Sequence, residues 1–174
     1  MVDKVTISLG AIRDRESGNV FCAAVLVYKD HHARLNDIFP SNGEYTNMSG
    51  GLAHIAARAL NRLHRKCIVD LRMACQTKEF LTNLEIASGY RKGSKESIVG
   101  RNKDAFESLV RAINTHVEAG QVQVSWKPED GYCYEVSEMA TSFRDTWKEN
   151  LNIPDIPSAD MAAVQESLSH GGHR

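Results

Sequence analysis

The hydrophobic period of this chain changes near residue 43, and that change limits the folds it can adopt. Apolar and polar residues alternate over residues 4–12, and residues 19–29 and 33–39 are also strand-like, which predicts three β-strands. Short polar stretches separate them, so we expect an antiparallel meander. Over residues 49–64 the apolar residues recur at helical spacing instead, which predicts an amphipathic helix.

Helices and strands alternate through the rest of the chain. The predicted elements are a strand at 67–73, a helix at 77–88, a helix at 103–118, a strand at 122–126 and a helix around 136–147. A strand that returns through a helix to the same sheet pairs in parallel, with the helix packed on one face. The sequence therefore predicts an α/β fold with a five-stranded mixed sheet, three strands antiparallel and two parallel, flanked by helices.

Local signals predict where several elements begin and end. His31-His32 is predicted to form the turn between the second and third strands. Ser49 is predicted to cap the first helix, and Ala119-Gly120 is predicted to end the helix before the last strand.

The bulk composition is that of an ordinary globular protein. The 174 residues are 42% apolar and 25% charged with a net charge of -1, so any attraction to nucleic acid must come from local clusters of charge. No apolar stretch approaches the ~20 residues of a membrane span, and the N-terminal residues lack the apolar segment of a signal peptide. We expect a cytoplasmic or nuclear protein that is not secreted and has no membrane partner.

The cysteines and the C-terminal composition predict the domain organisation. The four cysteines are expected to be free thiols, with one long-range disulfide as the alternative, because none forms a Cys-x-x-Cys pair and a chain of this size needs no disulfide. Residues 1–150 are expected to form one domain. Residues 151–174 hold Pro154, Pro157 and few apolar side chains, which predicts a largely flexible tail.

Five short motifs follow the predicted elements in a particular order. They are Thr46-Asn47, Gln76–Leu81, Asn102–Phe106, Trp126–Gly131 and Ser137–Ala140. Their order and spacing, together with the order of strands and helices, resemble ribonuclease H over about residues 4–148. The resemblance implies the ribonuclease H-like fold. In active members it also implies four carboxylates that hold two divalent cations against the scissile phosphodiester.

The residues at those metal-binding positions are not acids. The resemblance assigns the four carboxylates to Leu9, Gly51, Gln76 and Ser137, and the catalytic-loop histidine to Glu129. A shifted alignment does not recover the first three, because residues 4–13, 45–69 and 71–78 contain no Asp or Glu. At the fourth position Glu135 or Glu138 is an alternative.

One carboxylate cannot hold two hard cations, which need several oxygen ligands. We therefore predict no bound metal, no cofactor and no nuclease activity, so that the protein is not an enzyme. The other acids are interpreted as structural. The residues predicted to be solvated loop charges are Asp14, Glu16, Glu44, Glu129 and Asp130, and Asp70 is predicted to mark a solvent-facing or edge position.

A thiol nucleophile is the other chemistry that the sequence offers. Cys75 could pair with His54 or His64. A buried cysteine that packs as a small hydrophobe is the commoner arrangement, and it is the favoured interpretation.

A basic stretch is the strongest sign of a partner. Its positively charged residues are Arg91, Lys92, Lys95, Arg101 and Lys103. Some ribonucleases H carry a basic protrusion here, so the resemblance implies contact with duplex phosphates and no sequence preference. Thr46 and Asn47 could contact the same backbone. The alternative is a solvated loop that keeps the protein soluble.

Two functions remain open from the sequence. The first is a catalytically inactive ribonuclease H-like protein that binds an RNA–DNA hybrid or double-stranded RNA through A-form shape and phosphates. The second is a protein-interaction or homo-oligomerisation module that does not bind nucleic acid. A viral or mobile-element origin is expected by analogy with other non-catalytic copies of this fold.

Overall fold

The computed structural model describes residues 2–76, 78–91 and 97–151, where the chain forms five strands and four α-helices. The strands are β1 (Lys4–Arg13), β2 (Val20–Tyr28), β3 (His31–Phe39), β4 (Cys67–Met73) and β5 (Val117–Trp126). The helices are α1 (Met48–Leu60), α2 (Lys78–Ser88), α3 (Arg101–His116) and α4 (Gly131–Leu151). Apart from Leu151, the predicted C-terminal tail lies outside the described residues.

The strands form one sheet in the order β3-β2-β1-β4-β5. β2 pairs antiparallel with both β1 and β3, whereas β4 runs parallel to β1 and β5 runs parallel to β4. This arrangement confirms the predicted α/β fold with a five-stranded mixed sheet. β1 is the central strand, and its Leu9 lies between Ala24 of β2 and Met73 of β4.

Helices cover both faces of the sheet. α1, together with α2 and α3, encloses the larger core, to which Ile7 and Leu9 of β1 contribute. α4 covers β1 and β2 on the opposite face, where Val25 and Val136 belong to a smaller core. Gly10 permits this close approach, because a Cβ at this position would lie 3.0 Å from the backbone of Val136.

The hairpin between β2 and β3 turns earlier than predicted. His31 and His32 belong to β3, and His31 pairs with Tyr28, so Lys29 and Asp30 form the turn. A two-residue hairpin turn of this kind needs left-handed backbone, and Lys29 supplies it with a φ of 52°. The prediction of a His31-His32 turn is therefore wrong by two residues.

Two helix ends also differ from the prediction. Asn47, not Ser49, caps α1, because its side-chain oxygen accepts the amide of Gly50 at 2.8 Å. α3 ends at His116 and β5 begins at the next residue. Gly120, with a φ of 73°, therefore lies inside β5, where the pairing with β4 is irregular, and does not end the helix.

The described residues also bear on membranes and disulfides. None of the helices in the described ranges has the length and apolar character needed to cross a bilayer. All four cysteines carry free thiols. Cys22, Cys67 and Cys133 are buried, whereas Cys75 is partly exposed.

Candidate functional site

Leu9 lies at the centre of the sheet and is fully buried. Its side chain belongs to the core beneath α1, and its carbonyl accepts the amide of Ala74 at 3.0 Å, just beyond the end of β4. A hydrocarbon side chain offers no ligand to a cation. The first carboxylate position of the family is therefore part of the core.

Gly51 lies in the first turn of α1, where the helix rests directly on β2. A Cβ at this position would lie 3.0 Å from the Cβ of Val20 and 3.1 Å from the Sγ of Cys22. Even an alanine would be crowded there, and a glutamate would need the helix to move away from the sheet. The second carboxylate position has no room for a side chain.

The remaining positions of the family pattern are at the surface. Gln76 follows β4 and is exposed, as are Ser137 on α4 and Glu129 before α4. The Ser137 hydroxyl donates to the carbonyl of Cys133 at 3.2 Å. Of the alternative acids near the fourth position, Glu135 is bound to Arg34 at 2.8 Å and Glu138 is exposed.

These residues do not fit a two-cation site. A hydrocarbon, a glycine, an amide and a hydroxyl replace the four carboxylates, and of the two alternative acids Glu135 is already paired with Arg34. In the part of the chain that the structure describes, no group of three or more His, Cys, Asp or Glu side chains could hold a metal ion.

Asp14 differs from its predicted role as a solvated loop charge. It is buried, and its carboxylate accepts hydrogen bonds from the Ser17 amide and hydroxyl and from the Lys148 Nζ at 2.9 Å. The hydrogen bond from Lys148 is the largest of the effects that lower the pKa of Asp14 to about 2. Asp14 thereby ties the β1–β2 turn to α4, and the prediction is wrong because the turn folds back onto that helix.

Asp130 and Asp70 share Arg72 of β4. Asp130 accepts the amide of Tyr132 at 3.0 Å at the start of α4 and binds Arg72 at 2.8 Å. Asp70 binds the same guanidinium at 2.9 Å, so its side chain is only 14% exposed. Both acids are structural. Asp130 is not the solvated loop charge that was predicted, and Asp70, largely covered on an interior strand, does not mark the predicted solvent-facing or edge position. Glu16, Glu44 and Glu129 are exposed, in agreement with the prediction.

Cys75 does not form a catalytic pair with either histidine. His54 lies 2.6 Å from Asp37 and packs against Phe39, and His64 lies in an exposed segment after α1. Burial raises the pKa of the Cys75 thiol, which disfavours the thiolate that a nucleophile requires.

The polar groups of the Thr46-Asn47 turn already make hydrogen bonds within the protein. Thr46 is buried, its hydroxyl donates to the carbonyl of Gly18, and its own carbonyl accepts Arg13 Nε at 3.1 Å. The Asn47 side chain caps α1 and donates to Glu79 at 2.9 Å. Contact with a nucleic-acid backbone would compete with these bonds, so the role predicted for these two side chains needs a local rearrangement.

The start of α3 packs against this turn. Asn102 is buried and accepts the backbone amide of Asn47 at 3.2 Å. Gly100, in a left-handed conformation, has no room for a side chain because the carbonyl of Tyr45 lies against it. Arg101 and Lys103, partly exposed, therefore lie beside the turn that contains Thr46 and Asn47.

The other predicted basic residues come earlier in the chain, after α2. Arg91 lies after the far end of α2, is exposed, and lies 3.6 Å from Glu85. Lys92 and Lys95 lie outside the described residues. A second group of cations, which the sequence analysis did not single out, follows α1 at Arg62, Arg65 and Lys66. Its signal was the density of basic residues in 58–66, which lie at the end of the sheet opposite Arg101 and Lys103.

Comparisons with known proteins identify the fold. No protein-family profile matches this sequence, and no curated protein does either. Among solved structures, ribonuclease H1 of the halophilic archaeon Halobacterium salinarum NRC-1 superposes with a TM-score of 0.52 and 11% identity, covering 80% of this chain and 98% of that one.

A second solved structure gives the same result. LC9-RNase H1, a type 1 ribonuclease H with the type 2 active-site motif, superposes with a TM-score of 0.54 and 14% identity, covering 82% of this chain and 72% of that one. At such low identity the likeness is one of fold. The chain has the ribonuclease H-like fold, as the motifs predicted.

Proposed function

We propose that this protein is a non-catalytic ribonuclease H-like domain that binds duplex nucleic acid, either RNA–DNA hybrid or double-stranded RNA, through the sugar-phosphate backbone. The fold supports a role related to nucleic acid. The absence of catalysis and the binding mode are inferred from the residues of this chain.

The packing at Leu9 and Gly51 carries the inference of inactivity. Leu9 is fully buried, and Gly51 is held against Val20 and Cys22 with no space for a side chain. Cation-assisted phosphodiester cleavage needs several carboxylates around two metal ions. In this chain both positions are part of the hydrophobic core.

The distribution of charge supports duplex binding. Residues 91–103 contain five Lys or Arg residues and one Glu, in a chain whose net charge is -1. Arg101 and Lys103 lie at the start of α3 beside the α1 cap. Cations at the start of a helix favour phosphate groups, and backbone contacts of this kind do not depend on base sequence.

A binding titration tests the proposal. Fluorescence anisotropy of the full chain against labelled RNA–DNA hybrid, RNA duplex and DNA duplex, repeated over a salt series, should show tighter binding to the A-form duplexes and a clear loss of affinity with salt. Reversal of charge at Arg91, Lys92 and Lys95 together should weaken binding strongly. Affinity that does not change with salt, or no binding near physiological salt, would contradict the proposal.

Cleavage is tested separately. Hybrid incubated with the full chain and Mg²⁺ or Mn²⁺ should remain intact, as measured by denaturing gel electrophoresis, with a catalytic ribonuclease H as the positive control. Cation-dependent cleavage would show that the protein is an enzyme and would overturn the inactive part of the proposal without affecting the binding part.

The exposed edge of β5 favours the second candidate function, a homo-oligomerisation module. Within the described residues β5 pairs only with β4, and over its ten residues it contains a single charged side chain, Glu118. Edges with so few charges are prone to pair with another strand. Trp126, at the end of β5, is 50% exposed. Light scattering over a wide concentration range should reveal a dimer if this candidate is right, and Trp126→Lys should weaken it.

A further inference from the structure

The side chain of Arg101 has a buried donor without an acceptor. Its Nε is buried, yet no hydrogen-bond partner for it lies among the described residues. The guanidinium also forms no ion pair in that part of the chain. Buried polar groups are nearly always hydrogen-bonded, and an unpaired donor on a charged group is costly. A group of this kind indicates a place for an anionic acceptor.

Arg101 lines a small cavity between α1, α3 and the end of β3. The cavity has a volume of about 120 Å³, and its lining residues are Phe39, His54, Arg101, Asp104, Ala105 and Ser108. Sites that hold a whole drug-sized ligand span roughly 300–1,000 Å³. The space beside Arg101 therefore suits one small polar group of a larger molecule.

The two acids near this cavity do not neutralise Arg101. Asp37 lies 2.6 Å from His54 and also binds Arg58, so its charge is already compensated. Asp104 is exposed, and no ion pair joins it to Arg101 among the described residues. The positive charge of Arg101 is therefore available to a ligand.

Ser108 supplies a second donor to the cavity. It follows Arg101 by seven residues, or about two helical turns, so both side chains lie on one face of α3. The Ser108 Oγ accepts a hydrogen bond from Arg111 at 3.0 Å, and its own hydroxyl hydrogen remains available within the described part of the chain. A charged donor and a neutral donor thus line the same small space.

A larger cavity, of about 500 Å³, lies beyond the end of α1. It exists because α1 ends at Leu60, whereas β2 continues to Tyr28 at the end of the β2–β3 hairpin. Asp3, which lines it, accepts hydrogen bonds from the Tyr28 hydroxyl at 2.8 Å and from Arg65 at 2.6 Å. Asp3 and Arg65 neutralise each other, so the buried donor without an acceptor belongs to the smaller cavity.

We propose that the cavity beside Arg101 holds the terminal phosphate of a nucleic-acid strand, with the Arg101 Nε and the Ser108 hydroxyl as donors. A guanidinium matches the geometry of phosphate oxygens. Walls from β3, α1 and α3 surround the cavity. A terminal phosphate can enter it because one oxygen joins that phosphate to the strand, whereas a backbone phosphate is joined through two. This site deepens the proposed duplex binding and rests on it.

One hybrid in two states of its ends tests the proposal. An RNA–DNA hybrid with phosphorylated ends and the same hybrid after dephosphorylation are titrated with the full chain by fluorescence anisotropy. The phosphorylated hybrid should bind ~10-fold more tightly, as expected for a charge-assisted hydrogen bond. Equal affinity for the two hybrids would overturn recognition of the terminal phosphate.

Matched variants locate the site. Arg101→Gln should abolish the preference for phosphorylated ends, and it should fold because Arg101 has no partner to lose among the described residues. Lys103→Gln removes the same charge outside the cavity lining, so it should weaken both hybrids alike and keep the preference. Asp104→Asn should increase the preference, because it removes a repelling charge from the lining. A preference that survives Arg101→Gln would overturn the proposal.

Inorganic phosphate tests the site on the unchanged protein and without nucleic acid. In ¹⁵N–¹H correlation spectra at constant pH and ionic strength, phosphate should shift the Nε–H of Arg101 and the amide of Ser108, and chloride should not. The amide of Ala119, which lines a separate cavity beside β5, is the control and should stay in place. No shift at Arg101 would overturn the site. If no duplex bound at all, the proposed function would fail, while a phosphate shift at Arg101 would still support the site.

Discussion

At two of the family's carboxylate positions, packing of the core excludes an acidic side chain, and it does so in two different ways. Leu9 fills its position with a buried hydrocarbon side chain, and Gly51 leaves no space for any side chain. Gln76, in contrast, is exposed after β4. The effect of restoring an acid therefore depends on the position, because only the exposed one can accept it without disturbing the core.

Gly51→Glu is expected to destabilise the protein by about 3 kcal/mol or more, since the side chain would overpack α1 against Val20 and introduce a charge into the core. Gln76→Asp, the matched control at the surface, should change the free energy of unfolding by no more than about 0.5 kcal/mol. Urea unfolding followed by circular dichroism measures both. If the Gly51→Glu protein were as stable as the parent, α1 would not pack as closely against β2 as the structure shows.

Asp14 makes stability depend on acid pH. Its pKa in the folded protein is about 2, below the ordinary value of 3.8, mainly because of Lys148. A carboxyl group with a depressed folded-state pKa contributes stability above its unfolded pKa, and that contribution is lost as pH falls through the folded pKa. Stability should therefore decrease between about pH 4 and pH 2, by about 2 kcal/mol from this group.

Asp14→Asn should remove most of that dependence and should lower stability by about 2 kcal/mol at neutral pH. Asp145→Asn, on the same helix as Lys148 but with a 56% exposed side chain, is the control and should change little. Thermal unfolding at several pH values measures the difference. If the stability of the Asp14→Asn protein depended on pH as that of the parent does, Asp14 would not be the group responsible.

The elements themselves were largely predictable because hydrophobic period is a local property of the chain. β4 coincides with the predicted 67–73, and its parallel pairing with β1 and β5 agrees with the predicted crossovers through helices. The wrong predictions concern the ends of helices and strands, which depend on backbone conformation or on residues distant in the sequence. Asn47 and Ser49 are both good caps by composition, but in the structure it is Asn47 that accepts the Gly50 amide, while Asn102 of α3 accepts the backbone amide of Asn47.

The candidate site was predictable in one respect only. The lack of acids at the family positions can be read from the sequence, whereas the burial of Asp14 and the sharing of Arg72 depend on how α4 packs. The cavity beyond α1 could not be predicted either. It depends on the relative lengths of a helix and a hairpin, which the predicted ends did not resolve.

The β2–β3 turn offers a test at the scale of one element. Lys29 has left-handed backbone with no glycine or asparagine to favour it. Lys29→Asn and Lys29→Val both remove the contact of the ammonium with the Tyr28 ring at 5.2 Å, so their difference reports the backbone alone. We expect the valine protein to be less stable by about 1 kcal/mol in thermal unfolding. Equal stability would mean that another turn conformation is adopted.

At the scale of the whole molecule, the two ends of one sheet carry different surfaces. The β1–β2 turn, the α1 cap and the start of α3 meet at one end. A cavity of about 500 Å³ lies at the other, where β1 and β4 begin. Because the hydrophobic core between the sheet and α1 separates these two surfaces, changes at one end should leave the other intact.

Arg101→Gln with Lys103→Gln tests this separation and the nucleic-acid proposal together. If both side chains neutralise phosphates, the slope of log affinity against log salt should fall by about two, with affinity reduced for every duplex sequence alike. Lys4→Gln with Lys29→Gln removes the same charge at the opposite end and should leave the slope unchanged. Equal loss of duplex affinity in both double variants would mean that net charge, and not a defined surface, governs binding.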